Sequence, residues 1–358
     1  MTNALTYQNK TSPITLAIDA MGGDHGVKAT VSGAALCHKQ HKDNKFLFFG
    51  DKEQIENAMS RYGSLQSVSQ IVHTDKVIAG DEKPSVALRQ GKESSMRLAI
   101  DAVAEGRADA VISSGNTGAL MAMSKMVLKT LPEIRRPAIA SVFPTKKGET
   151  VMLDLGANSS CDSENLVQFA ILGAVFAKII KDQKRPTVGL LNVGSEDIKG
   201  PDHIRVAGEK LRMIEFPGIY YGNIEGNDIP RGTTDVVVTD GFTGNVALKV
   251  AEGTSELIAY FIRDAFTSSP LAAIGALFAG GAFKKLKKRV DPRFYNGGMF
   301  LGLGGICVKS HGSSDAYGFS RALLVAGDLV SNNYNQKVAE ELEMLREREI
   351  MESLGESV

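Results

Sequence analysis

The chain of 358 residues has no tryptophan, three cysteines and no net charge. Cys37, Cys161 and Cys307 lie far apart and form no CxxC pair, which argues against a disulfide framework and against a zinc site. Because 41 basic residues balance 41 acidic residues, the sequence lacks the excess positive charge typical of nucleic-acid binding. We therefore expect no nucleic-acid partner.

Long apolar runs are also missing. The N-terminal segment has no apolar stretch long enough for a signal peptide, which predicts a cytoplasmic protein. The longest stretch without charge, residues 265–283, contains Pro270 and three glycines and is a poor candidate for a membrane-spanning helix.

Ordinary globular composition accompanies these absences, with 43% hydrophobic and 23% charged residues. Short apolar, β-branched runs alternate with helical patterns, which predicts an α/β fold with a mostly parallel sheet. A single α/β catalytic domain is expected over residues 1–331, followed by an acidic C-terminal helix at 332–358. Residues 85–105 are predicted to form one long helix. Strands are predicted at 14–19, 46–49, 68–73, 110–113, 139–143, 151–155, 188–192, 219–222, 236–239 and 306–309.

Glycine is the one residue type in surplus, with 37 residues or about a tenth of the chain, against roughly 7% in average proteins. Much of the surplus follows predicted strands, in turns at 19–25, 114–119, 154–158, 192–196, 240–245 and 309–315. Glycine in such turns lets backbone N–H groups approach an anion, and ligands bind at the carboxyl ends of parallel strands. Six such turns favour an anion-binding crevice, although tight turns need glycine and helix caps without any ligand.

Cofactor motifs are weak or missing. Gly22, Gly23 and Gly26 after the first strand, with Asp51 after the second, match the dinucleotide-binding fingerprint only loosely, and no phosphate-binding GxxxxGK[ST] loop occurs. Asp19, Asp154 and Asp240 end separate strands without a recognisable ligand spacing for a metal. We expect no cofactor and no metal.

Seven blocks in chain order resemble the bacterial phosphate acyltransferases. They are AIDAMGGDHG (17–26), SSGNTGALMA (113–122), LDLGANSSCDSENL (153–166), LLNVGSEDIKG (190–200), GNIEGNDI (222–229), TDGFTGNVALK (239–249) and LGGICVKSHGSSDA (303–316). The resemblance implies an α/β/α sandwich like that of isopropylmalate dehydrogenase and related to phosphotransacetylases. One departure is Asn227, which stands where arginine is common, so no role is assigned to that loop.

The same resemblance implies a reaction. Inorganic phosphate attacks the thioester of a long-chain acyl-acyl carrier protein and releases acyl phosphate, which a membrane glycerol-3-phosphate acyltransferase then uses for phospholipid synthesis. It also implies a homodimer that attaches peripherally to the inner face of the cell membrane. Two alternatives are a short-chain phosphotransacetylase that acts on acyl-CoA and a non-catalytic membrane scaffold of lipid synthesis.

Three residues are the candidates for catalysis. Lys199 supplies a point charge to phosphate or to the oxyanion, Asn245 can donate its amide to the thioester oxygen, and His311 can protonate the leaving thiolate. Each has a plain alternative: a solvated lysine, a helix cap and a structural loop histidine. The predicted substrate-binding residues are Gly22, Gly23, Asp24, His25, Ser114, Gly115, Asn116, Thr117, Asn158, Asp240 and Lys309.

A helical hairpin is predicted at residues 268–293. Apolar residues recur in it at three- and four-residue spacing, and the segment 281–300 has a net charge of +5. An apolar face beside a basic one suits a membrane surface or an acidic carrier protein. The alternative is a dimer-interface or core hairpin. The predicted contact residues are Leu277, Phe278, Lys284, Lys285, Lys287, Lys288 and Arg289.

Overall fold

A computed structural model describes residues 13–282 and 297–353. Its strands are β1 Thr15–Asp19, β2 Lys45–Gly50, β3 Ser69–His73, β4 Ala110–Ser113, β5 Ala138–Thr145, β6 Gly148–Leu153, β7 Thr187–Leu191, β8 Ile219–Ile224, β9 Val236–Val238, β10 Gly298–Leu301 and β11 Ile306–Lys309. Its helices are α1 Gly26–Gln40, α2 Lys52–Met59, α3 Gly63–Gln66, α4 Pro84–Gln90, α5 Ser95–Ala104, α6 Thr117–Leu128, α7 Ser163–Lys181, α8 Asp202–Met213, α9 Asp228–Arg231, α10 Gly241–Thr267, α11 Pro270–Phe278, α12 Ala316–Ser331 and α13 Tyr334–Ser353.

The strands form one 11-stranded sheet in the order β3-β2-β1-β4-β11-β10-β5-β6-β9-β7-β8. Strands β3, β2, β1, β4 and β11 form a first parallel block, and β6, β9, β7 and β8 form a second. Three antiparallel pairings, through β10 and β5, separate the two blocks. Because three reversals lie between them, the two blocks run in opposite directions, and their strands end at opposite edges of the sheet.

Helices cover both faces of the sheet. Alternate residues of β1 show this, since Leu16 and Ile18 belong to one apolar core while Ala17 belongs to another. The first core is completed by α1, α7 and α12, and the second by α5 and α6. The predicted α/β/α sandwich with a mostly parallel sheet is therefore confirmed.

Helix α7 is the one helix among the described residues that is long and apolar enough to cross a membrane. It begins with a capping box formed by Asp162 and Asn165, and 67% of its apolar window is buried inside the protein. A Cβ at Gly173 would lie 2.7 Å from Val236 Cγ1, which shows how closely the helix packs on the sheet. We interpret α7 as a core helix.

The prediction of one helix over residues 85–105 is wrong. The structure has two helices, α4 and α5, because the chain turns at Gly91 and a new helix begins at Ser95, directly after its N-cap Ser94. The Ser94 hydroxyl accepts a hydrogen bond from the Arg97 N–H and donates one to the Gly91 carbonyl. Serine is a favoured N-cap because its side chain bonds the first free N–H groups of a helix.

Two segments at the periphery bear on the predicted domains. Tyr334, Val338 and Leu342 of α13 are buried in the main core, so this helix packs on the sheet domain along one face. Helix α10 is exposed over almost all of its length after its first two turns. It makes contact with α11. The division of the chain at residue 331 stays a prediction.

Candidate functional site

Three loops meet beyond β1, β4 and β11, and we call residues 20–25, 114–116 and 310–315 the first loop cluster. The Ser114 hydroxyl donates to the Gly22 carbonyl at 2.7 Å, and the Asp24 N–H donates to the Gly312 carbonyl at 2.8 Å. A Cβ at Gly22 would lie 2.6 Å from the backbone nitrogen of Gly115. The loops therefore touch backbone to backbone, which only glycine permits at this position.

Asp19, at the end of β1, supports the first loop cluster through hydrogen bonds. Its buried carboxylate accepts hydrogen bonds at 2.6 Å from both the Ser95 and the Ser113 hydroxyls. Burial raises the pKa of Asp19, while the bonds from Ser113, Ser95 and the backbone of Met21 and Gly22 oppose that rise. Asp19 thus orients the turn. The sequence analysis missed Ser95 and Ser113, since neither lies in a glycine turn.

Lys309 contributes a positive charge to the first loop cluster. Its ammonium donates to the Ser114 carbonyl at 3.3 Å and also to the Ser310 carbonyl. Burial lowers the pKa of Lys309 to about 8, and the carboxylates of Asp19 and Asp24 act in the opposite direction. At neutral pH the group is therefore mostly charged and has two carboxylates nearby.

The two predicted histidines are exposed at the rim. The Nδ1 atom of His311 lies 2.9 Å from the Ser313 hydroxyl and accepts the Ser313 N–H at 3.3 Å. Because Nδ1 accepts this N–H, the proton of the neutral ring belongs on Nε2. His25 stands at the N-cap of α1 and makes no side-chain cap.

Asn116 has mainly structural partners in the structure. Its Oδ1 atom accepts the Ala119 N–H at 3.0 Å and so caps α6. Its Nδ2 atom donates to the carbonyls of residues 79, 80 and 82. The capping alternative therefore describes this side chain. Thr117 is exposed at the first position of α6, where its backbone can face an anion.

A second loop cluster follows β6, β7 and β9 and comprises residues 154–162, 192–201 and 239–245. The Asp154 carboxylate accepts the Ala157 N–H at 3.0 Å and the Asn158 N–H at 2.7 Å. The Asn158 amide donates to the Pro137 carbonyl at 2.8 Å and to Asp154 at 2.9 Å. Burial raises the pKa of Asp154, so it resembles Asp19 in both environment and task.

Helix α10 begins in this second cluster. Its N-cap is Asp240, whose carboxylate accepts the Thr243 N–H at 2.9 Å. Asn245 therefore is not the cap; it lies exposed in the second turn, close to Gly156. A Cβ at Gly244 would overlap the Asp154 carbonyl oxygen, so the start of the helix packs directly against the loop after β6.

Lys199 lies in the loop between β7 and α8. Its ammonium pairs with Glu196 at 2.8 Å, and this hydrogen bond raises the pKa of Lys199. Asn192 holds the loop, because its Nδ2 atom donates to the Lys199 carbonyl at 2.9 Å and its Oδ1 atom accepts the Val193 N–H. Lys199 is exposed and can leave Glu196 for a substrate anion at little cost.

The expectation of one crevice with six turns is wrong for the single chain. Three turns form the first loop cluster and three form the second, at opposite edges of the sheet, because the two parallel blocks run in opposite directions. Lys309 and His311 belong to the first cluster, while Lys199 and Asn245 belong to the second.

Two of the seven predicted membrane-contact residues lie in the part of the chain that the structure describes. Leu277 and Phe278 end α11 with 80% and 87% of their surface exposed. The remaining five lie outside the described residues: Lys284, Lys285, Lys287, Lys288 and Arg289.

Comparison with known proteins identifies the family. Residues 14–337 match the model of a family described as fatty acid synthesis protein. The phosphate acyltransferase of Rhodospirillum centenum is 57% identical over 331 residues, which cover 92% of this chain and 93% of that protein. The phosphate acyltransferase of Brucella canis is 48% identical over 331 residues, covering 92% and 96%. The chain belongs to the phosphate acyltransferase family. It is therefore an acyltransferase enzyme of fatty acid and phospholipid synthesis.

Solved structures agree with this fold. A phosphotransacetylase from Streptococcus pyogenes has a TM-score of 0.60 at 16% identity, covering 89% of this chain and 94% of that chain. A branched-chain phosphotransacylase from Enterococcus faecalis has a TM-score of 0.52 at 14% identity, covering 88% and 99%. At such identities the likeness shows the fold alone. It confirms the predicted relationship to phosphotransacetylase folds.

Proposed function

We propose that the enzyme transfers the acyl group of a long-chain acyl-acyl carrier protein to inorganic phosphate, and that the acyl phosphate feeds phospholipid synthesis. The best support for this, beside the family to which the chain belongs, is the composition of the first loop cluster. There, glycine backbone, the first turns of α6 and α12 and the ammonium of Lys309 lie together. Helix N-termini and lysine are groups that bind phosphate well.

The chemistry requires positioning more than a strong base. Phosphate is partly a dianion at neutral pH, so one of its oxygens can form the new bond to the thioester carbonyl carbon directly. The tetrahedral intermediate then collapses, the carbon–sulfur bond breaks and its electron pair leaves with the sulfur. In this proposal Lys309 holds the phosphate. His311 in its protonated form gives the thiolate a proton from Nε2 and is left as the neutral ring, which then takes up the proton that the bound hydrogen phosphate loses.

Lys199 and Asn245 are proposed to act on the carbonyl side. The negative charge that develops on the thioester oxygen needs donors, and an ammonium and a side-chain amide both qualify. Both groups are exposed in the second loop cluster, and Lys199 exchanges Glu196 for the substrate.

The deciding experiment mixes the enzyme with palmitoyl-acyl carrier protein and phosphate and traps acyl phosphate with hydroxylamine. Parallel reactions contain palmitoyl-CoA or acetyl-CoA in place of the carrier protein. We expect product with the carrier substrate and faster turnover than with acetyl-CoA. A preference for acetyl-CoA would establish the short-chain alternative, and no product from any thioester would contradict the proposal.

We further propose a cytoplasmic enzyme that attaches peripherally to the membrane through the segment 268–293, of which the structure describes α11 and the residues up to 282. Leu271, Leu277 and Phe278 are among its most exposed apolar residues. Exposed apolar side chains at the end of a helix suit insertion into a lipid surface. Such a position would also bring the product to the membrane glycerol-3-phosphate acyltransferase.

Liposome flotation with anionic vesicles tests this attachment. Leu277→Glu with Phe278→Glu should abolish flotation, because two carboxylates cannot enter the lipid interface without a large desolvation cost. The matched control, Thr254→Glu with Ser255→Glu, adds the same charge to exposed positions of α10 and should still float. Circular dichroism shows whether both variants remain folded. Unchanged flotation of the folded Leu277 and Phe278 variant would contradict the proposal.

A homodimer is proposed as well. The exposed apolar residues of α10 support it, among them Val250, Leu257 and Phe261, since a helix this apolar needs a cover in water. Light scattering after size exclusion measures the mass of the particle.

A further inference from the structure

A cavity of about 230 Å³ lies beside the second loop cluster, between α8 and β8. The loop before α8 closes it with Asp197 and Ile198. Gly208 and Arg212 line it from α8, and Tyr220 and Asn223 line it from β8. The assignments made so far use none of these side chains.

Two buried polar atoms of this cavity have no hydrogen-bond partner among the described residues: the Tyr220 hydroxyl and Asn223 Oδ1. Asn223 is only 7% exposed, and its Nδ2 atom points to the Glu196 carbonyl at 3.5 Å, which assigns Oδ1 as the unpaired atom. Burial raises the pKa of Tyr220 to about 12, so its hydroxyl remains a proton donor at neutral pH. A buried polar group without a hydrogen bond costs free energy. A ligand that forms hydrogen bonds with both atoms removes this cost.

The two atoms specify complementary chemistry. Tyr220 offers a donor and Asn223 offers an acceptor. A secondary amide supplies the matching carbonyl and N–H, whereas an acyl chain supplies neither. A thioester arm of phosphopantetheine, the group shared by acyl carrier protein and coenzyme A, contains two secondary amides.

We infer that this cavity binds an amide of the phosphopantetheine arm, with Tyr220 donating to the amide carbonyl and Asn223 accepting the amide N–H. The inference rests on the proposed function, since it assumes a substrate carried on such an arm. The cavity-lining residue Ile198 directly precedes Lys199, so an arm held here leads toward the second loop cluster.

The loop over the cavity is held only weakly in place. Ile198 is 91% exposed and therefore packs against little. Asp197 joins the loop to Arg212 of α8 by an ion pair on the surface, an interaction that contributes little in water. The proposal requires a displacement of Asp197 and Ile198 that opens the buried Tyr220 and Asn223 atoms to the arm. A Cβ at Gly208 would lie 2.6 Å from the Tyr220 hydroxyl, so glycine leaves room there.

The test compares Tyr220→Phe with wild type on four substrates. These are octanoyl-acyl carrier protein, octanoyl-CoA, octanoyl-pantetheine and octanoyl-butanethiol, which has no amide. We expect the KM for the three amide-bearing thioesters to rise roughly three- to tenfold, the usual range for one lost hydrogen bond. The KM for phosphate and the turnover of octanoyl-butanethiol should stay unchanged. Tyr221→Phe, an exposed tyrosine one position further along β8, is the matched control.

A binding measurement separates this inference from the proposed function. Calorimetry should show that wild type binds holo-acyl carrier protein more tightly than apo-acyl carrier protein, and that Tyr220→Phe loses this difference. Equal binding of the two carrier forms by wild type, or an unchanged thioester KM in Tyr220→Phe, would overturn the inference. Absence of acyl phosphate with a preserved difference between holo and apo carrier would instead contradict only the proposed function.

Discussion

Lys309 shows how a single side chain combines charge and burial. Its ammonium is held by two backbone carbonyls next to Asp19 and Asp24, and its pKa is about 8. An ordinary lysine stays charged far above this pH. A phosphate site that depends on Lys309 must therefore weaken under mildly alkaline conditions.

We expect the KM for phosphate to rise as the pH passes through about 8, because Lys309 loses its proton there and with it the attraction for the anion. Lys309→Arg keeps the charge and should move this rise to higher pH, since arginine remains protonated. Lys309→Met should raise the KM roughly tenfold or more at pH 7. Lys125→Arg, on an exposed position of α6, is the control. The same alkaline limb in wild type and Lys309→Arg would show that another group titrates.

At the scale of the element, the start of α6 is fixed by one side chain. Asn116 caps the helix with its oxygen and ties residues 79–82 to it with its nitrogen. The same turn belongs to the first loop cluster, so the cap also determines where the first N–H groups of α6 point.

Asn116→Ala should lower the free energy of unfolding by about 1–2 kcal/mol, because both the cap and the tie are lost. Asn116→Asp keeps the cap and should lose only part of that stability. Urea denaturation measures both. If Asn116 binds phosphate instead, the alanine variant will show a raised phosphate KM with an unchanged unfolding midpoint.

Elements with a strong local signal were predictable from sequence. The predicted strands 110–113 and 306–309 coincide with β4 and β11, which are short apolar runs ending in polar turns. Strand β10 was missed, because GMFL next to many glycines has no alternation and its pairing with β5 and β11 is a tertiary contact. The helix break at Gly91 was missed for a related reason: Ser94 is a cap only because the chain turns there.

The candidate site was predictable as residues but not as an arrangement. The glycine-containing turns predicted Gly22, Ser114 and Lys309 as site residues, and the structure brings these residues together. The direction of a strand relative to distant strands leaves no mark in its own sequence. Hence the reversals through β10 and β5, which put Lys199 in a different cluster, were not foreseen.

At the scale of the whole molecule, the separation of the two loop clusters bears on where catalysis takes place. The proposed phosphate-binding Lys309 and the proposed carbonyl-binding Lys199 lie at opposite edges of one sheet. In a twofold-symmetric homodimer the same pair of surfaces occurs twice, and the second loop cluster of one chain can face the first loop cluster of the other. The two halves of the site would then come from different subunits.

This arrangement predicts complementation between two inactive variants. Lys199→Ala and Lys309→Ala are expressed together with different affinity tags, and the dimer that contains one copy of each is purified over both. If the site forms between subunits, one of its two sites has both lysines, and the heterodimer should show about half of the wild-type activity in the hydroxylamine assay. Doubly tagged dimers of each variant alone serve as controls and should stay inactive. A heterodimer as inactive as its parents would mean that both lysines act within one chain, across a distance that the chain must then close itself.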